Sequence, residues 1–375
     1  MELSHLGAEL IKGLTHFTVG NALMILVGAI LIALAILKEY EPVLLLPIGF
    51  GCILANIPLT GMTEDSGLFS VLYQAGIRTE LFPLLIFVGV GAMIDFSPLL
   101  AQPHMVLLGA AGQFGIFGTL ILATLLGFPL NQAASIGVIG AIDGPTAIFV
   151  TTKLAPEMLA PIAVAAYSYM SLIPIIQPPI MKLLTTREER RIRMAYAPRP
   201  VSRWALLLFP VVITLITGLL VPDATPLISM LMLGNLLRES GVVDRLRKAA
   251  ENEIINIATL FLGLTIGSTM GASSFLNWKT LGVLALGLLA FVLDTIAGLL
   301  FGKLMSVLSG RKINPLIGAA GISAFPMAGR LAAQIAQEED FENFILMHAM
   351  GANTAGQLGS VMAGGVLLAL VSGLI

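Results

Sequence analysis

Two long stretches of the chain are nearly free of charge. From Phe96 to Thr152 the single formal charge is Asp143, and from Asn343 to Ile375 there is none. About 20 consecutive apolar residues suffice to cross a bilayer as an α-helix, whereas the strands of a membrane β-barrel alternate in polarity over about ten residues. These stretches do not alternate, so they predict helices embedded in a membrane.

The overall composition excludes a soluble enzyme. Of the 375 residues, 57% are hydrophobic and 11% are charged, whereas soluble domains carry about 25% charged residues. The mean hydropathy is +0.95. The net charge of −2 provides no electrostatic footprint for nucleic acid. With one cysteine, Cys52, an internal disulfide is impossible.

Apolar segments recur along the whole chain. They predict an all-α polytopic membrane protein with about 10–12 transmembrane or re-entrant segments. The first run is long enough to span the bilayer and lacks the basic start of a cleaved signal, so we expect it to be retained. The segments are 18–37, 43–57, 81–94, 104–126, 131–152, 156–181, 204–221, 225–237, 257–276, 281–302, 314–335 and 344–375.

A basic loop near the middle of the chain sets its orientation and its organisation. Residues 181–203 contain seven Lys or Arg against two Glu, which places this loop in the cytoplasm by the positive-inside rule. Clusters around Arg245 and Arg311 fall on the same face. The predicted units are an amphipathic N-terminal segment (1–17), a first membrane repeat (18–181), the basic cytoplasmic loop (182–203) and a second membrane repeat (204–375).

The two membrane units resemble each other in sequence. Four segments of the first unit match four of the second in the same order, among them NQAASIGVIGAIDGPTAIF at 131–149 and NPLIGAAGISAFPMAGRLA at 314–332. Pro145 and Pro326, with neighbouring glycines, interrupt these two segments as helices. Internal repeats with paired broken helices are typical of secondary transporters. If each broken segment re-enters on its own side, the repeats are inverted, and this is the arrangement that we predict.

Asp143 is the side chain that most needs a partner. A carboxylate at mid-membrane costs roughly 2.5–3.5 kcal/mol on insertion scales, so a cation, a proton or an arginine must compensate it. A carboxylate beside freed carbonyls, with Thr146 as a further oxygen, suits a small hard cation. The alternative is an ordinary helix cap next to a proline.

Other polar groups in the apolar segments carry alternatives. Arg330 either pairs with Asp143 or binds an anionic substrate through two hydrogen bonds. Ser323 and Asn314 are ordinary helix caps unless they lie opposite Asp143. Three further features are less decisive. They are the buried phenols Tyr167 and Tyr169 as candidate proton donors, Asp294 as a second ion ligand, and a polar stripe of His348, Asn353 and Ser360 that predicts close helix packing rather than ligation.

Three motifs resemble one known family. GAIDGPTAIFVTTKLAPEMLAPIAVAAYSYMSLIPIIQPPIMKLLTT at 140–186, NPLIGAAGISAFPMAGR at 314–330 and LMHAMGANTAGQLGSVMAGGVLL at 346–368 closely resemble the β subunit of the biotin-dependent sodium-pumping decarboxylases. The oxaloacetate, methylmalonyl-CoA, glutaconyl-CoA and malonate systems form this family. The likeness covers most of the chain, and the DGPT segment followed by YSYM and QPP is highly specific.

The resemblance implies a role for the chain and for particular residues. It implies a membrane subunit that decarboxylates carboxybiotin and exports sodium while consuming a proton, active only within its complex. Asp143, Tyr169 and Arg330 become catalytic, and Arg330 binds the carboxybiotin carboxylate. The implied sodium ligands are Asp143, Asn314, Gly318 and Ser323.

The resemblance also implies partners that the chain itself does not contain. Biotin is carried by another subunit, and the implied partners are a carboxyltransferase subunit, a biotin carrier subunit, a small membrane subunit and further copies of this chain. The protein is expected in the cell membrane. The acyl substrate is chosen on another chain. From the residues alone, a stand-alone sodium-coupled carboxylate symporter or sodium/proton antiporter stays open, whereas a scaffold without an ion site does not explain Asp143 and Arg330.

Overall fold

The computed structural model describes residues 12–194 and 200–374. Most of the predicted N-terminal segment, residues 1–11, lies outside the described residues, as do residues 195–199 of the predicted basic loop and the side chains of residues 273 and 274. All regular secondary structure in the described ranges is helical.

The first half of the chain contains eleven helices in its described part, several of them continued by a short 3-10 or π turn. They are α1 (Lys12–Thr15), α2 (Val19–Leu37), α3 (Pro42–Ala55), α4 (Leu68–Leu72), α5 (Leu81–Met93), α6 (Ser97–Ala101), α7 (Val106–Ala111), α8 (Phe114–Leu125), α9 (Leu130–Gly137), α10 (Gly144–Leu154) and α11 (Leu159–Leu184).

The second half, again in its described part, begins with a short helix in the basic loop and ends with a long apolar one. Its helices are α12 (Arg187–Arg190), α13 (Arg203–Leu220), α14 (Thr225–Ser240), α15 (Asp244–Ala249), α16 (Ile255–Ser268), α17 (Ala272–Phe275), α18 (Trp278–Leu308), α19 (Leu316–Ala319), α20 (Met327–Glu339) and α21 (Leu346–Ser372).

Seven helical stretches of the described chain are long and apolar enough to cross a membrane. An eighth forms if the segments Leu68–Ile77 and Leu81–Met93, bent by 58° at their junction, count as one span. The all-helical polytopic architecture is therefore confirmed. The spans are Val19–Leu37, Pro103–Leu125, Pro156–Leu184, Arg203–Leu220, Asp244–Ser268, Trp278–Leu308 and Leu346–Ser372.

The helices pack in pairs that recur in the two halves. Helices α2 and α3 form one hairpin and α13 and α14 another, while α3 packs on α16 and α5 packs on α14. Glycines allow the closest approaches: a Cβ on Gly51 would lie 2.3 Å from the Leu264 carbonyl oxygen, and one on Gly91 would lie 1.9 Å from that of Leu231. The α2–α3 hairpin thus has a counterpart in α13–α14, and the α3–α16 pair has one in α14–α5, as a duplicated fold would produce.

Two interrupted segments differ from the spanning helices because each returns to the side where it began. In the first broken segment, residues 130–154, the Asn131 side chain donates to the Leu154 carbonyl at 2.9 Å, so its two ends are adjacent. In the second broken segment, residues 314–339, Asn314 donates to the Arg190 carbonyl at 2.9 Å and Glu339 pairs with the Arg190 guanidinium at 2.5 Å. Both ends of the second segment therefore meet the basic loop, on a side of the bundle that we call the basic face.

The two broken segments enter the bundle from different ends. Helix α11 begins beside the end of the first broken segment and runs to the basic loop, so the first segment opens on the opposite face. This arrangement supports the inverted repeat, which stays a prediction together with the four-unit division of the chain.

Candidate functional site

The first broken segment is interrupted between Gly137 and Pro145. Helix α9 ends at Gly137, a 3-10 turn follows, and Ile142 takes a left-handed conformation with φ of 52°. Pro145 has no N–H and cannot continue the preceding helix, but it is well suited to the first turn of α10. Asp143 caps α10, with its Oδ1 accepting the Thr146 N–H at 3.4 Å.

The Asp143 carboxylate is held by neutral groups. Its Oδ2 accepts hydrogen bonds from the Thr146 hydroxyl at 2.8 Å and from Gln357 and Ser360 at 2.9 Å each. The residue is 5% exposed, and no cationic side chain of the described residues forms an ion pair with it. The charge is thus hydrogen-bonded but not neutralised. Since Gln357 and Ser360 belong to α21, both halves of the chain build this shell.

The tip of the second broken segment meets the tip of the first. The Ser323 hydroxyl donates to the Ala141 carbonyl, two residues before Asp143. Backbone carbonyls of the second tip are bound by buried amides: Asn353 donates to the Ile322 carbonyl at 2.7 Å and Gln177 to that of Ala319 at 2.7 Å. Polar side chains thus supply hydrogen bonds to carbonyl groups that have no helical partner because the helix is broken. Such groups must be paired in a membrane interior.

A cavity of about 520 Å³ lies beside the crossing of the two segments. Asp143, Tyr167, Ser323 and Arg330 line it, and it also reaches Met93. Because the Met93 carbonyl accepts from Arg238 of the basic face, the cavity extends from Asp143 towards that face.

Two charged residues at the cavity complete its electrostatics. Arg330 is exposed, and its guanidinium forms no hydrogen bond or ion pair with another described residue. The sequence left open whether Arg330 pairs with Asp143 or binds an anionic substrate. The structure does not show the pair with Asp143. Glu41, just before α3, also lines the cavity, and burial raises the pKa of its carboxyl.

The structure places three of the predicted site residues at one cavity and three elsewhere. Asp143, Ser323 and Arg330 share the cavity. Asn314 instead binds the carbonyls of Arg190 and Ile192 at 2.9 Å each. The roles of Asn314, Gly318 and Tyr169 in ion binding or proton transfer stay predictions.

The other two residues have packing or hydrogen-bonding partners away from the cavity. A Cβ on Gly318 would lie 2.0 Å from the Gly298 carbonyl oxygen, so this glycine permits a close contact with α18. The Tyr169 hydroxyl, on α11, donates to the Leu284 carbonyl, which also belongs to α18.

One residue at the site, Gln357, was not singled out from the sequence, and Tyr167 was one of two phenols between which the sequence did not decide. Tyr167 lines the cavity, and its buried hydroxyl has no partner in the described part of the chain. A Cβ on Gly144 would lie 2.6 Å from this hydroxyl, so the phenol is adjacent to Asp143. Gln357 contacts the carboxylate directly. Its spacing from Asn353 and Ser360, four and three residues, marks one polar helix face and was the available signal.

Known proteins resemble the chain over nearly its whole length. A family model described as the Na+-transporting oxaloacetate decarboxylase beta subunit matches residues 20–371. The glutaconyl-CoA decarboxylase subunit beta of Acidaminococcus fermentans is 54% identical over 362 residues, 96% of each chain. The methylmalonyl-CoA decarboxylase subunit beta of Veillonella parvula is 54% identical over 361 residues, again 96% of each. The oxaloacetate decarboxylase beta chain of Klebsiella pneumoniae is 47% identical over 420 aligned positions, covering 96% of this chain and 97% of that protein.

Proposed function

Since the chain belongs to the beta-subunit family of the Na+-transporting oxaloacetate decarboxylases, we propose that it couples a decarboxylation to sodium export across the cell membrane. The three relatives are named for three different substrates, although their sequence identities to this chain are similar. This supports an acyl choice made on another subunit and a shared task for the membrane subunit. The stand-alone transporter is not favoured.

Sodium would bind at Asp143, and this carboxylate is the observation that carries the proposal. A small hard cation prefers oxygen ligands, and the carboxylate has the hydroxyl oxygens of Thr146 and Ser360 within 2.9 Å. The Gln357 contact is made by its amide Nε2, which donates to the carboxylate and is not a cation ligand. Groups of three or more His, Cys, Asp or Glu that would hold a divalent metal are absent from the described residues. A single negative charge among neutral oxygens fits a monovalent ion. Ser323 lines the same cavity and could add an oxygen.

Carboxybiotin, carried by a partner subunit, would enter the cavity from the basic face. Its carboxylate is a planar anion that suits the fork of a guanidinium, and the Arg330 guanidinium is unpaired within the described chain. Loss of carbon dioxide breaks the bond between the ureido nitrogen and the carboxyl carbon, and that nitrogen takes up a proton. Tyr167, which lies at the cavity, and Tyr169, which the family resemblance indicates, are the candidate phenols for its delivery.

The subunit would act only in its complex. A biotin carrier subunit, a carboxyltransferase subunit and a small membrane subunit are the proposed partners, and the chain would associate with copies of itself. Their docking on the basic face fits the direction in which the cavity extends.

The proposal is tested with the whole complex in proteoliposomes. We expect Asp143→Asn to abolish both sodium-dependent decarboxylation and sodium uptake, because a neutral amide does not balance a dehydrated cation. Asp223→Asn, which changes an exposed carboxyl, is the matched control. Near-normal sodium dependence in Asp143→Asn would exclude this carboxylate as the central ligand. Solute transport by the chain alone would favour the transporter instead.

A further inference from the structure

A second buried carboxyl lies behind the tip of the first broken segment. Asp294, near the middle of α18, is completely buried. Its Oδ1 accepts the Gly115 N–H, near the start of α8, and its Oδ2 has no hydrogen-bond partner in the described part of the chain. The unpaired oxygen faces Gly140, because a Cβ built on that glycine would lie 2.9 Å from it.

The surroundings of Asp294 are too tight for a hydrated cation. A Cβ on Gly115 would lie 2.6 Å from Oδ1, so glycines flank both oxygens of the carboxyl. Asp294 lines neither the cavity beside Asp143 nor the apolar cavity between α7 and α18. A proton needs no such space, and a protonated carboxyl is the usual state of a buried group that lacks a counter-charge.

Few ionisable groups could influence Asp294. Helices α7, α8, α9 and α19 contain none. The first broken segment contributes Asp143, three residues after Gly140, and Lys153 at its far end. Helix α11 contributes Tyr169, whose ring lies at Gly287 of α18, with Tyr167 facing the cavity and Lys182 at the basic face. Of these groups, Asp143 is the one to which the proposed function assigns an ion, and it lies three residues after the glycine that faces Asp294.

We propose that Asp294 is a proton-binding site of the sodium cycle, placed behind the turn that carries Asp143. This rests on the proposed function in assigning sodium to Asp143. Two negative charges on either side of one turn repel in a medium of low dielectric. Without sodium, Asp294 keeps its proton. A cation at Asp143 favours ionisation of Asp294, so sodium binding releases the proton, and proton return helps sodium to leave.

The variant Asp294→Asn separates this role from a structural one. The amide oxygen still accepts the Gly115 N–H, so assembly and thermal stability of the complex should be close to wild type. Each proton displaced by sodium changes the apparent sodium affinity by up to about tenfold per pH unit. Asp294→Asn should therefore flatten the pH dependence of sodium affinity, measured as sodium titrations of decarboxylation across a pH series. A profile identical to wild type would make Asp294 a helix cap only.

An infrared measurement tests the proton without relying on activity or on sodium binding. In the Asp143→Asn, Glu41→Gln double variant of the complex at neutral pH, Asp294 is the remaining fully buried carboxyl of the described residues. A carbonyl band of a protonated carboxyl should persist there and disappear when Asp294→Asn is added. Absence of the band in the double variant would overturn the proposal, even if the complex proved to pump no sodium.

Discussion

Asp143 caps a helix and presents a charge to a cavity with one and the same carboxyl group. The N-terminal end of α10 favours an anion, and the hydroxyl and amide donors stabilise it without cancelling it. Tyr167 covers this group from α11, and Arg330 lies in the same cavity without a partner among the described residues. The site therefore holds one anion and one cation apart, each free to bind a ligand of opposite charge.

The contact between Gly144 and Tyr167 gives the first prediction at this scale. A Cβ on Gly144 would lie 2.1 Å from the Tyr167 ring, which must then move. We expect Gly144→Ala to cost about 1–3 kcal/mol and to weaken sodium affinity in titrations of decarboxylation. Gly118→Ala is the control, because its Cβ would meet its nearest neighbour at an ordinary 3.7 Å. Equal behaviour of the two variants would mean that the position of Tyr167 does not matter.

Arg330→Lys tests how the cavity recognises its anion. A lysine keeps the charge but lacks the planar fork. Loss of charge-assisted hydrogen bonds is worth about 1.5–3 kcal/mol, so the KM for the carboxylated carrier should rise about 10- to 100-fold. Steady-state kinetics with purified carboxylated carrier measure this. Unchanged kinetics would remove Arg330 from the binding site.

The sequence could identify some of these residues and not others. Asp143 and Arg330 stood out because isolated charges are costly in apolar segments. The choice between Tyr167 and Tyr169 could not be made, since residues two apart on a helix point in nearly opposite directions and only the packing of α11 tells which one meets the cavity. The position of Asn314 depends on the fold of the basic loop, which no local pattern encodes.

At the scale of elements, a network of polar contacts fastens the second broken segment to the basic loop. Asn314 and Asn343 both donate to the carbonyls of Arg190 and Ile192. Arg190 is 8% exposed. Its guanidinium donates to the Thr185 carbonyl at 2.5 Å and pairs with the Glu339 carboxylate at 2.5 Å. Both ends of a segment whose tip touches the Asp143 turn are thereby fixed.

This network predicts a stability that depends on pH. The hydrogen bond from Arg190 lowers the pKa of the Glu339 carboxyl from its ordinary 4.5, against the opposing effect of burial. A lowered folded pKa contributes stability that is complete above 4.5 and is lost as pH falls through the folded value. Glu339→Gln should therefore lower the Tm of the solubilised complex at neutral pH.

Two measurements check this prediction: the effect of pH on the Tm difference, and the Tm of a variant at a neighbouring carboxyl. The Tm difference between wild type and Glu339→Gln should shrink as pH falls below 4.5, the ordinary pKa of the carboxyl. Glu342→Gln is the control, because this exposed carboxyl has a single ion pair, with Arg193 at 3.0 Å. A difference that does not change with pH would show that the ionisation of Glu339 contributes nothing.

Broken helices were predictable as elements because proline and glycine act locally. Pro145 and Pro326 each mark the restart of a helix, as the sequence indicated. The division of 104–126 at Gly112 was not predicted, because the helix ends there against a neighbour: a Cβ on Gly112 would lie 2.2 Å from the Gly321 carbonyl oxygen. Such a contact joins residues far apart in the chain and leaves no periodic signal.

At the scale of the whole molecule, the cavity, the proposed sodium site and the proposed proton sites lie around one crossing of two segments. Sodium and protons would therefore act on the same few oxygens. Moving one charge against 100 mV costs about 2.3 kcal/mol, which the decarboxylation must exceed. The Ser323 hydroxyl joins the two segments at the Ala141 carbonyl, so chemistry in the cavity would act directly on the proposed ion site.

Competition between the two ions gives the last prediction. If a proton and sodium share the Asp143 carboxylate, the apparent sodium affinity should weaken as pH falls. Sodium titrations of decarboxylation by the whole complex in proteoliposomes, repeated across a pH series, measure this. Tyr167→Phe and Tyr169→Phe are compared in the same series. The phenol that delivers the proton is the one whose loss changes the pH dependence of sodium affinity more than it changes the affinity at high pH. An affinity independent of pH in wild type would require separate routes for the two ions.

The shell around Asp143 has a consequence for the history of such a chain. The carboxylate comes from the first half, and Gln357 and Ser360 come from the second, so neither half encloses the site alone. If both halves descend from one shorter gene, its product worked as a pair of identical chains, in which a single mutation altered the site twice. In a single chain the two copies can differ, as they do here: the first half carries Asp143 and the second carries Arg330.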